Sequence, residues 1–216
     1  MRIGGSWRFA PAWLVALVVT GAGCPSTSVY RTADPVPVGH WHVSVAADVG
    51  GIADQAQESR APTASLELAA RRGVAENLDI GAKLYTFGLE LSATWRVVRG
   101  TWSLALAPSI AALRSNESGV SPRALYLFAG SAFIASRPLS KRWHIGTGPI
   151  AGYGMYRPET GGTAHGAWIG GFLLLDRAIG KRSHLVPEIG VYRVVAGDVP
   201  VRGGAFRAGL AWRWEL

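Results

Sequence analysis

The sequence contains little cysteine and little charge. Among its 216 residues there is 1 cysteine, and Asp, Glu, Lys and Arg together make up 17%. A single cysteine excludes an internal disulfide framework and a zinc site built from several cysteines. Hydrophobic residues reach 49%, which is too high for an intrinsically disordered chain. The composition therefore predicts a folded protein that does not depend on disulfides.

Helical periodicity is missing as well. From Gly39 onward, apolar residues do not recur at the helical spacing over any window of useful length. The chain instead contains 28 glycines and 9 tryptophans. Glycine weakens helices but suits tight turns and close contacts between strands. The length fits one all-β domain.

The first 23 residues resemble a bacterial secretory signal peptide. Arg2 and Arg8 give a positive start, Ala12–Val19 is a short apolar run, and the small residues Thr20–Gly23 precede Cys24. Small residues followed by cysteine resemble the lipobox of bacterial lipoproteins. This resemblance implies lipidation of Cys24 and a lipid anchor on the periplasmic side of the membrane. The alternative is ordinary cleavage, which leaves Cys24 as a free thiol.

The segment that follows is predicted to be a tether. Residues 24–38 contain three prolines and several Ser and Thr residues, with no apolar period. Such composition is typical of an extended linker between an anchor and a domain. The folded domain is therefore expected to span residues 39–216.

The domain is predicted to be a series of about ten strands with alternating apolar and polar residues. In eight of them the alternation assigns the apolar face, whereas the sixth (about 123–136) and eighth (about 166–177) are apolar on both faces. The assigned apolar faces begin with Trp41, Val43, Val45, Ala47 and Val49 in the first strand and end with Phe206, Ala208, Leu210, Trp212, Trp214 and Leu216 in the tenth.

Strands of about nine to thirteen residues are long enough to cross a bilayer at a tilt, and an even number can close into an antiparallel barrel without free edges. Charges occupy the face opposite the apolar one: Asp48, Glu67, Lys83, Glu90, Arg96, Glu188, Arg207 and Arg213. These charges are expected to pair across a narrow lumen. A transmembrane barrel is favoured over a soluble sandwich or lipocalin-like barrel, with eight strands as the alternative count.

Connection lengths and tryptophan positions support the membrane hypothesis. The long connections are predicted at 52–61, 114–122, 156–165 and 197–203, and the short ones at 72–77, 99–101, 137–142 and 178–183. This alternation is typical of barrels with external loops and periplasmic turns, and the connection around Thr86–Gly88 is the exception, because it is short where a long loop is expected. Six of the seven tryptophans after the signal peptide fall at one rim, with Trp168 placed at the other. Tyr126, Tyr153, Tyr156, Phe87 and Phe206 are predicted to form a second aromatic girdle.

The run ARRGVAENLDIGAKLYTFGLELSATWRVVRGTWSLALAPSIAAL (residues 70–113) resembles the strand–turn–strand segments of small Gram-negative outer-membrane β-barrel proteins. The closing stretch AFRAGLAWRWEL (residues 205–216) is similar to the alternating C-terminal signal of that family. The resemblance covers residues 39–216 and carries no catalytic motif. It implies a location in the bacterial outer membrane, with membrane lipids as partners and surface contacts through the four long loops.

Motifs for chemistry are sparse. His40 and His42 stand two apart, but no third metal ligand is evident. No G-x-S-x-G nucleophile motif occurs, and basic residues do not cluster with stacking aromatics as in nucleic-acid-binding proteins. We therefore expect no catalytic residue, no metal or cofactor and no nucleic-acid partner.

The expected function is non-enzymatic: a structural or surface-contact barrel with a plugged lumen. An alternative is a carrier or sensor of a hydrophobic ligand, because an inner face containing Leu125, Leu127, Ala129, Phe133, Ile150, Trp168, Phe172 and Leu174 would be apolar. A lipid-modifying enzyme with a Ser–His–carboxylate cluster is a third hypothesis. Pro108, Pro149 and Pro187 fall within strands, where bulges or strand ends are expected.

Overall fold

A computed structural model describes residues 28–54, 59–85, 88–115, 124–159, 161–198 and 203–216. These residues form ten strands. The strands are β1 (Trp41–Asp54), β2 (Ser59–Ala75), β3 (Leu78–Tyr85), β4 (Gly88–Val98), β5 (Ser103–Ser115), β6 (Ala124–Ser140), β7 (Trp143–Pro158), β8 (Ala164–Ala178), β9 (Ser183–Gly197) and β10 (Gly203–Glu215).

The strands close into one antiparallel barrel. Each strand pairs with its neighbours in sequence, and β1 pairs with β10 from His42–Glu215 to Asp54–Gly203. Closure satisfies the backbone hydrogen bonds that a sheet edge would leave open. The predicted fold class and the count of ten strands are confirmed. Among the described residues, no helix has the length and apolar composition needed to cross a membrane.

The two faces of the barrel differ because successive side chains of a strand point to opposite sides. In β1, Val45 and Val49 are exposed on the exterior, whereas Ala46 and Asp48 between them are buried in the lumen. The charged residues predicted to face the lumen lie there, and the exterior carries Val, Leu, Ile and aromatic side chains all round the barrel.

The structure settles the facing of β6 and corrects part of the predicted inner face. Leu125, Leu127 and Phe133 are 41%, 38% and 39% exposed on the exterior. The side chains of β6 that face the lumen are those of even number, such as Ile134, which is 0% exposed. Since both sets are apolar, alternation alone could not distinguish them.

Several connections are shorter than predicted. The loop expected at 52–61 is largely strand, since β1 ends at Asp54 and β2 begins at Ser59. The loops expected at 156–165 and 197–203 shrink in the same way to 159–163 and 198–202. The loop expected at 114–122 lies mostly outside the described residues. Strand pairing continues past the points where turn-forming residues begin.

Prolines within the strands cause neither strand ends nor shifts in register. At Pro108, Pro149 and Pro187, pairing with one neighbouring strand continues and pairing with the other neighbouring strand is interrupted. The register is the same before and after each interruption. A proline has no N–H to donate, so one side of the ladder loses its bonds. The four register shifts that do occur lie elsewhere, for example between Gly73 and Ala75.

One end of the barrel is here called the termini rim. Trp41 opens β1 there, and Leu216 lies beside it, with its N–H donating to the Trp41 carbonyl at 2.8 Å. The six tryptophans predicted for one rim lie there: Trp41, Trp95, Trp102, Trp143, Trp212 and Trp214. The opposite end of the barrel is here called the far rim. The second aromatic girdle predicted for it is only partly confirmed.

At the far rim, Tyr153 and Phe206 are exposed outward, at 54% and 60%. Tyr126 and Tyr156 instead face the lumen, with ring centroids 4.9 Å apart. Trp168 also points inward and packs against the core, so it belongs to no girdle. Phe87 lies outside the described residues.

Candidate functional site

The lumen is occupied by the chain's own N-terminal segment, residues 28–37, here called the plug. The plug enters beside β2 at the termini rim, where the Gly39 N–H donates to the Gly73 carbonyl at 3.0 Å. A Cβ atom at Gly73 would meet the carbonyl oxygens of Val36 and Pro37, so glycine provides the space for this crossing. From there the chain runs into the barrel interior.

Glu188 of β9 holds the inner end of the plug. Its Oε1 accepts a hydrogen bond from the Val29 N–H at 3.0 Å, and its Oε2 accepts one from the Tyr30 N–H at 2.5 Å. Arg207 of β10 pairs with the same carboxylate. Glu188 is 2% exposed, and a buried carboxylate is tolerable only when hydrogen-bonded and paired. Plug and barrel therefore complete one shared polar network.

Tyr30 is the most constrained residue of the plug. Its φ of 41° lies in the left-handed region, which costs a non-glycine residue roughly 1–2 kcal/mol. The hydroxyl donates to Asp48 Oδ1, and the Arg207 guanidinium lies 5.5 Å from the ring centroid. A Cβ at Gly209 would collide with both Tyr30 Oη and Asp48. The barrel wall is therefore shaped to accept this ring.

The remainder of the plug is anchored along its length. The Ala33 N–H donates to Ser136 Oγ at 2.9 Å, and the Val36 N–H donates to Asp79 Oδ2 at 2.9 Å. Asp34 accepts hydrogen bonds from Arg96 Nη1 and Ser103 Oγ, each at 3.0 Å. These contacts come from β3, β4, β5 and β6, so the plug bridges much of the circumference.

Ion pairs predicted for the lumen are partly confirmed. Lys83 Nζ lies 3.4 Å from Glu90 Oε2 and 3.8 Å from Glu67 Oε2, and it also donates to the Ser28 carbonyl at 2.9 Å. Arg213 pairs with Asp176 at 2.7 Å and Arg96 with Asp34 at 3.0 Å. The last two partners were not predicted.

The side of the lumen formed mainly by β5–β8 is apolar. Ile134, Leu174 and Val186 are 0–1% exposed and belong to one cluster with Ile150, Phe172 and small alanines. Val29 and Ala33 of the plug are part of the same cluster. The plug thus fills the apolar side with side chains, and most of its hydrogen bonds go to the ionic side; those with Ser103 and Ser136 are the exceptions.

The tether predicted for residues 24–38 is therefore wrong over residues 28–37. Ala33 is 0% and Val36 is 1% exposed, whereas a tether would be solvated. The available signal was the presence of Val29, Tyr30 and Val36 among the Ser, Thr and Pro residues. Cys24 and the signal peptide lie outside the described residues, so lipidation stays a prediction.

A cavity of about 190 Å³ lies between the plug and the barrel wall at the termini rim. His184 lines it, with Nδ1 2.7 Å from Asp176 Oδ1 and Nε2 3.2 Å from Glu215 Oε1. A histidine–aspartate pair is part of a hydrolase triad. Here the second ring nitrogen faces the carboxylate of Glu215 and not a hydroxyl, so these three side chains lack the serine of a Ser–His–carboxylate cluster.

The paired histidines do not share a strand face. His40 precedes β1 and is exposed, whereas His42 faces the lumen with Nε2 3.5 Å from Glu215 Oε1. Within the described ranges, no group of three or more His, Cys, Asp or Glu side chains is placed to hold a metal. The motif does not form a metal site in the part of the chain that the structure covers.

The hydrophobic-ligand hypothesis required a void beside Phe133, Ile150 and Phe172. Phe133 is on the exterior, and Ile150 and Phe172 pack within the apolar cluster. Inward glycines let large neighbours fill the lumen, as at Gly152, where an added Cβ would meet the Trp168 ring. The apolar side is therefore packed where that ligand was expected.

The fold and the site together define a closed ten-stranded barrel with an apolar exterior and a self-filled lumen. No family model matches the sequence, and no curated protein matches it.

Three solved structures have similar shapes. Neisserial surface protein A has a TM-score of 0.49 at 10% identity, over 82% of this chain and 98% of that one. Ail, the attachment invasion locus protein of Yersinia pestis, has 0.46 at 6%, over 83% and 99%. The outer membrane protease OmpT from Escherichia coli has 0.44 at 8%, over 82% and 96%. Since these TM-scores lie below 0.5, the topology rests on the strand pairing alone.

Proposed function

We propose that this chain is a non-enzymatic barrel of the Gram-negative outer membrane, closed by its own plug and serving a structural or surface-contact role. The observation that carries the proposal is the position of residues 28–37 in the lumen, where Ser28–Arg31, Ala33 and Val36 are buried and hydrogen bonds reach both sides. A lumen filled by packed side chains and buried ion pairs has no continuous water path.

The exterior supports a membrane location. Val49, Ile110, Ile189, Val191 and Phe206 are 56–64% exposed around the barrel wall. An apolar surface of this extent would associate in water, whereas acyl chains solvate it. Tryptophans concentrated at one rim suit the membrane–water interface. The signal-peptide resemblance and the C-terminal alternation indicate the outer membrane as the destination.

The termini rim is proposed to face the periplasm. Its four connections comprise 76–77, 99–102, 141–142 and 179–182, and all are short. The strand bounds leave five connections at the far rim, 55–58, 86–87, 116–123, 159–163 and 198–202, of which the first two are as short as the turns of the termini rim and the other three are longer. Short periplasmic turns and longer external loops are typical of bacterial barrels. The far-rim connections, including those within 52–61, 114–122, 156–165 and 197–203, are then the surface available to external partners.

Three measurements test this proposal. The protein should require detergent or lipid to stay monomeric, and its gel mobility should change on heating. In planar bilayers the full-length protein should show no stable conductance. A monomer that is soluble in plain buffer would contradict the membrane location, and a large, steady conductance would replace the closed barrel with a pore.

Lipidation of Cys24 remains part of the proposal. Mass spectrometry of the mature N-terminus decides the question, because an unmodified Cys24 or a start at another residue would exclude the anchor.

A further inference from the structure

The termini rim carries a concentration of positive charge that the closed-barrel role does not use. Eight basic side chains are exposed there, on strand ends and turns: Arg72, Arg99, Arg137, Lys141, Arg142, Arg177, Lys181 and Arg182. This set is here called the basic collar. None of the eight forms an ion pair with another described residue. The exposed acidic side chains described at this rim are those of Asp34, which pairs with Arg96, and Glu76.

Three collar arginines lie on the exterior wall, each over a tryptophan that opens the neighbouring strand or directly precedes it. The guanidinium carbons of Arg72, Arg137 and Arg177 are 5.5, 5.3 and 5.1 Å from ring centroids. The rings belong to Trp41, Trp102 and Trp143, respectively. Cation–π contact holds the charge beside the ring, so each charge lies at the depth where tryptophan meets the headgroups.

The charged side chains of the far rim differ from the basic collar in sign and in ion pairing. Arg114 lies 3.5 Å from Glu159. The carboxylate of Asp198 accepts a hydrogen bond from the His165 N–H at 2.6 Å, which holds the pKa of that carboxyl below its usual range. Charges of both signs therefore occur together at the far rim, whereas at the termini rim the eight basic side chains of the collar outnumber the two exposed acidic ones, Asp34 and Glu76. The net positive charge of the chain does not by itself explain why the two rims differ.

We propose that the basic collar binds the phosphate groups of anionic glycerophospholipids in the leaflet around the termini rim. The inference rests on the proposed membrane location. A guanidinium presents N–H donors in a fork that matches phosphate oxygens. The unpaired arginines already lie on the lipid-facing surface, so binding requires no rearrangement of the barrel.

Lipid selectivity in reconstituted vesicles tests the collar. Spin-labelled phosphatidylglycerol or phosphatidylcholine is added to vesicles containing the full chain, and the motionally restricted fraction is measured. Wild-type protein should prefer phosphatidylglycerol by roughly fivefold at low salt, with the preference falling as salt screens the charges. The triple variant R72Q/R137Q/R177Q should lose at least half of the preference for phosphatidylglycerol.

The matched control is R114Q/R157Q/R193Q, which removes the same charge from exterior positions of the far half and should retain the preference. Equal affinity for the two lipids, or equal loss in both variants, would overturn the collar proposal. Heat-modifiable mobility is measured in the same vesicles. An inserted barrel without selectivity refutes the collar alone, whereas failure to insert refutes the membrane location and the collar together.

Discussion

The two sides of the lumen fill the same space by different means. The ionic wall, formed by β1–β4, β9 and β10, includes Asp48, Glu67, Lys83, Glu188 and Arg207. The apolar wall, formed mainly by β5–β8, includes Ala105, Ile134, Ile150, Phe172 and Leu174. Directional hydrogen bonds, most of them to the ionic wall, determine where the plug residues lie, whereas nondirectional burial against the apolar wall contributes free energy without selecting a register.

The comparison predicts different responses to mutation. Loss of a key group in the ionic wall should both destabilise the barrel and release the plug. Loss of volume in the apolar wall should destabilise the barrel while the lumen stays closed.

The largest effect is expected for Glu188→Ala. Arg207 would lose one of its two carboxylate partners, and the Val29 and Tyr30 N–H groups would lose their acceptor. Breaking a buried pair in this way costs about 3–5 kcal/mol. Unfolding by urea in lipid vesicles, followed by tryptophan fluorescence, measures the loss, and bilayer recordings should show channel openings.

Val186→Ala is the control for Glu188→Ala, since it removes a buried apolar side chain two residues away on the same strand. It should lower stability with no conductance. If Glu188→Ala behaves in the same way, the hydrogen bonds to Glu188 do not hold the plug.

The next effect is expected for Leu174→Ala. Leu174 is 1% exposed, and removal of a buried leucine costs about 2–5 kcal/mol. The midpoint of urea unfolding should fall while bilayers remain silent. Leu173→Ala changes the adjacent residue, which is 41% exposed on the exterior, and should cost clearly less. Channel openings in Leu174→Ala would assign a positioning role to the apolar wall.

Gly209→Ala should displace Tyr30 with a smaller loss of stability. Overpacking of a filled interior costs about 1–3 kcal/mol, and the added Cβ would meet the Tyr30 hydroxyl and Asp48. Brief openings in single-channel records are the expected signature. Gly171→Ala serves as the control because its Cβ would make only an ordinary contact, 3.5 Å from the Gly148 carbonyl oxygen. Identical single-channel records for the two variants would mean that the space left by Gly209 does not position Tyr30.

The most local effect is expected for Ser136→Ala. The buried Ala33 N–H would lose its acceptor, at a cost of about 1–3 kcal/mol. Hydrogen exchange of the Ala33 amide should become faster. Ser131→Ala, on the same strand, removes a hydroxyl with no hydrogen-bond partner among the described residues and should leave exchange unchanged. Unaltered protection in Ser136→Ala would mean that other contacts hold this part of the plug.

Much of the fold could be predicted because charge marks one strand face. Asp48, Glu67 and Arg207 reveal the inner face of β1, β2 and β10, and the alternation then sets the register of each strand with respect to the core. In β6 both faces are apolar, so Phe133 was assigned to the lumen although it lies outside. Alternation carries information only where the two environments select different residues.

The plug could not be predicted from local sequence. Residues 28–37 have no period, and three prolines within 25–38 are typical of a linker. Their burial depends on distant partners, since Tyr30 meets Asp48 and Glu188 only after the barrel has closed. Asp79 and Asp176 were missed for the same reason, because their partners lie on the plug and on other strands.

The central claim is that residues 28–37 close this barrel. The most direct test compares the planar-bilayer conductance of the full-length protein with that of a variant lacking residues 28–37, after both show heat-modifiable mobility. The account predicts silence for the full-length protein and a stable, stepwise conductance for the deletion variant, because the charges of the ionic wall would then be hydrated. A folded deletion variant that stays silent would contradict it.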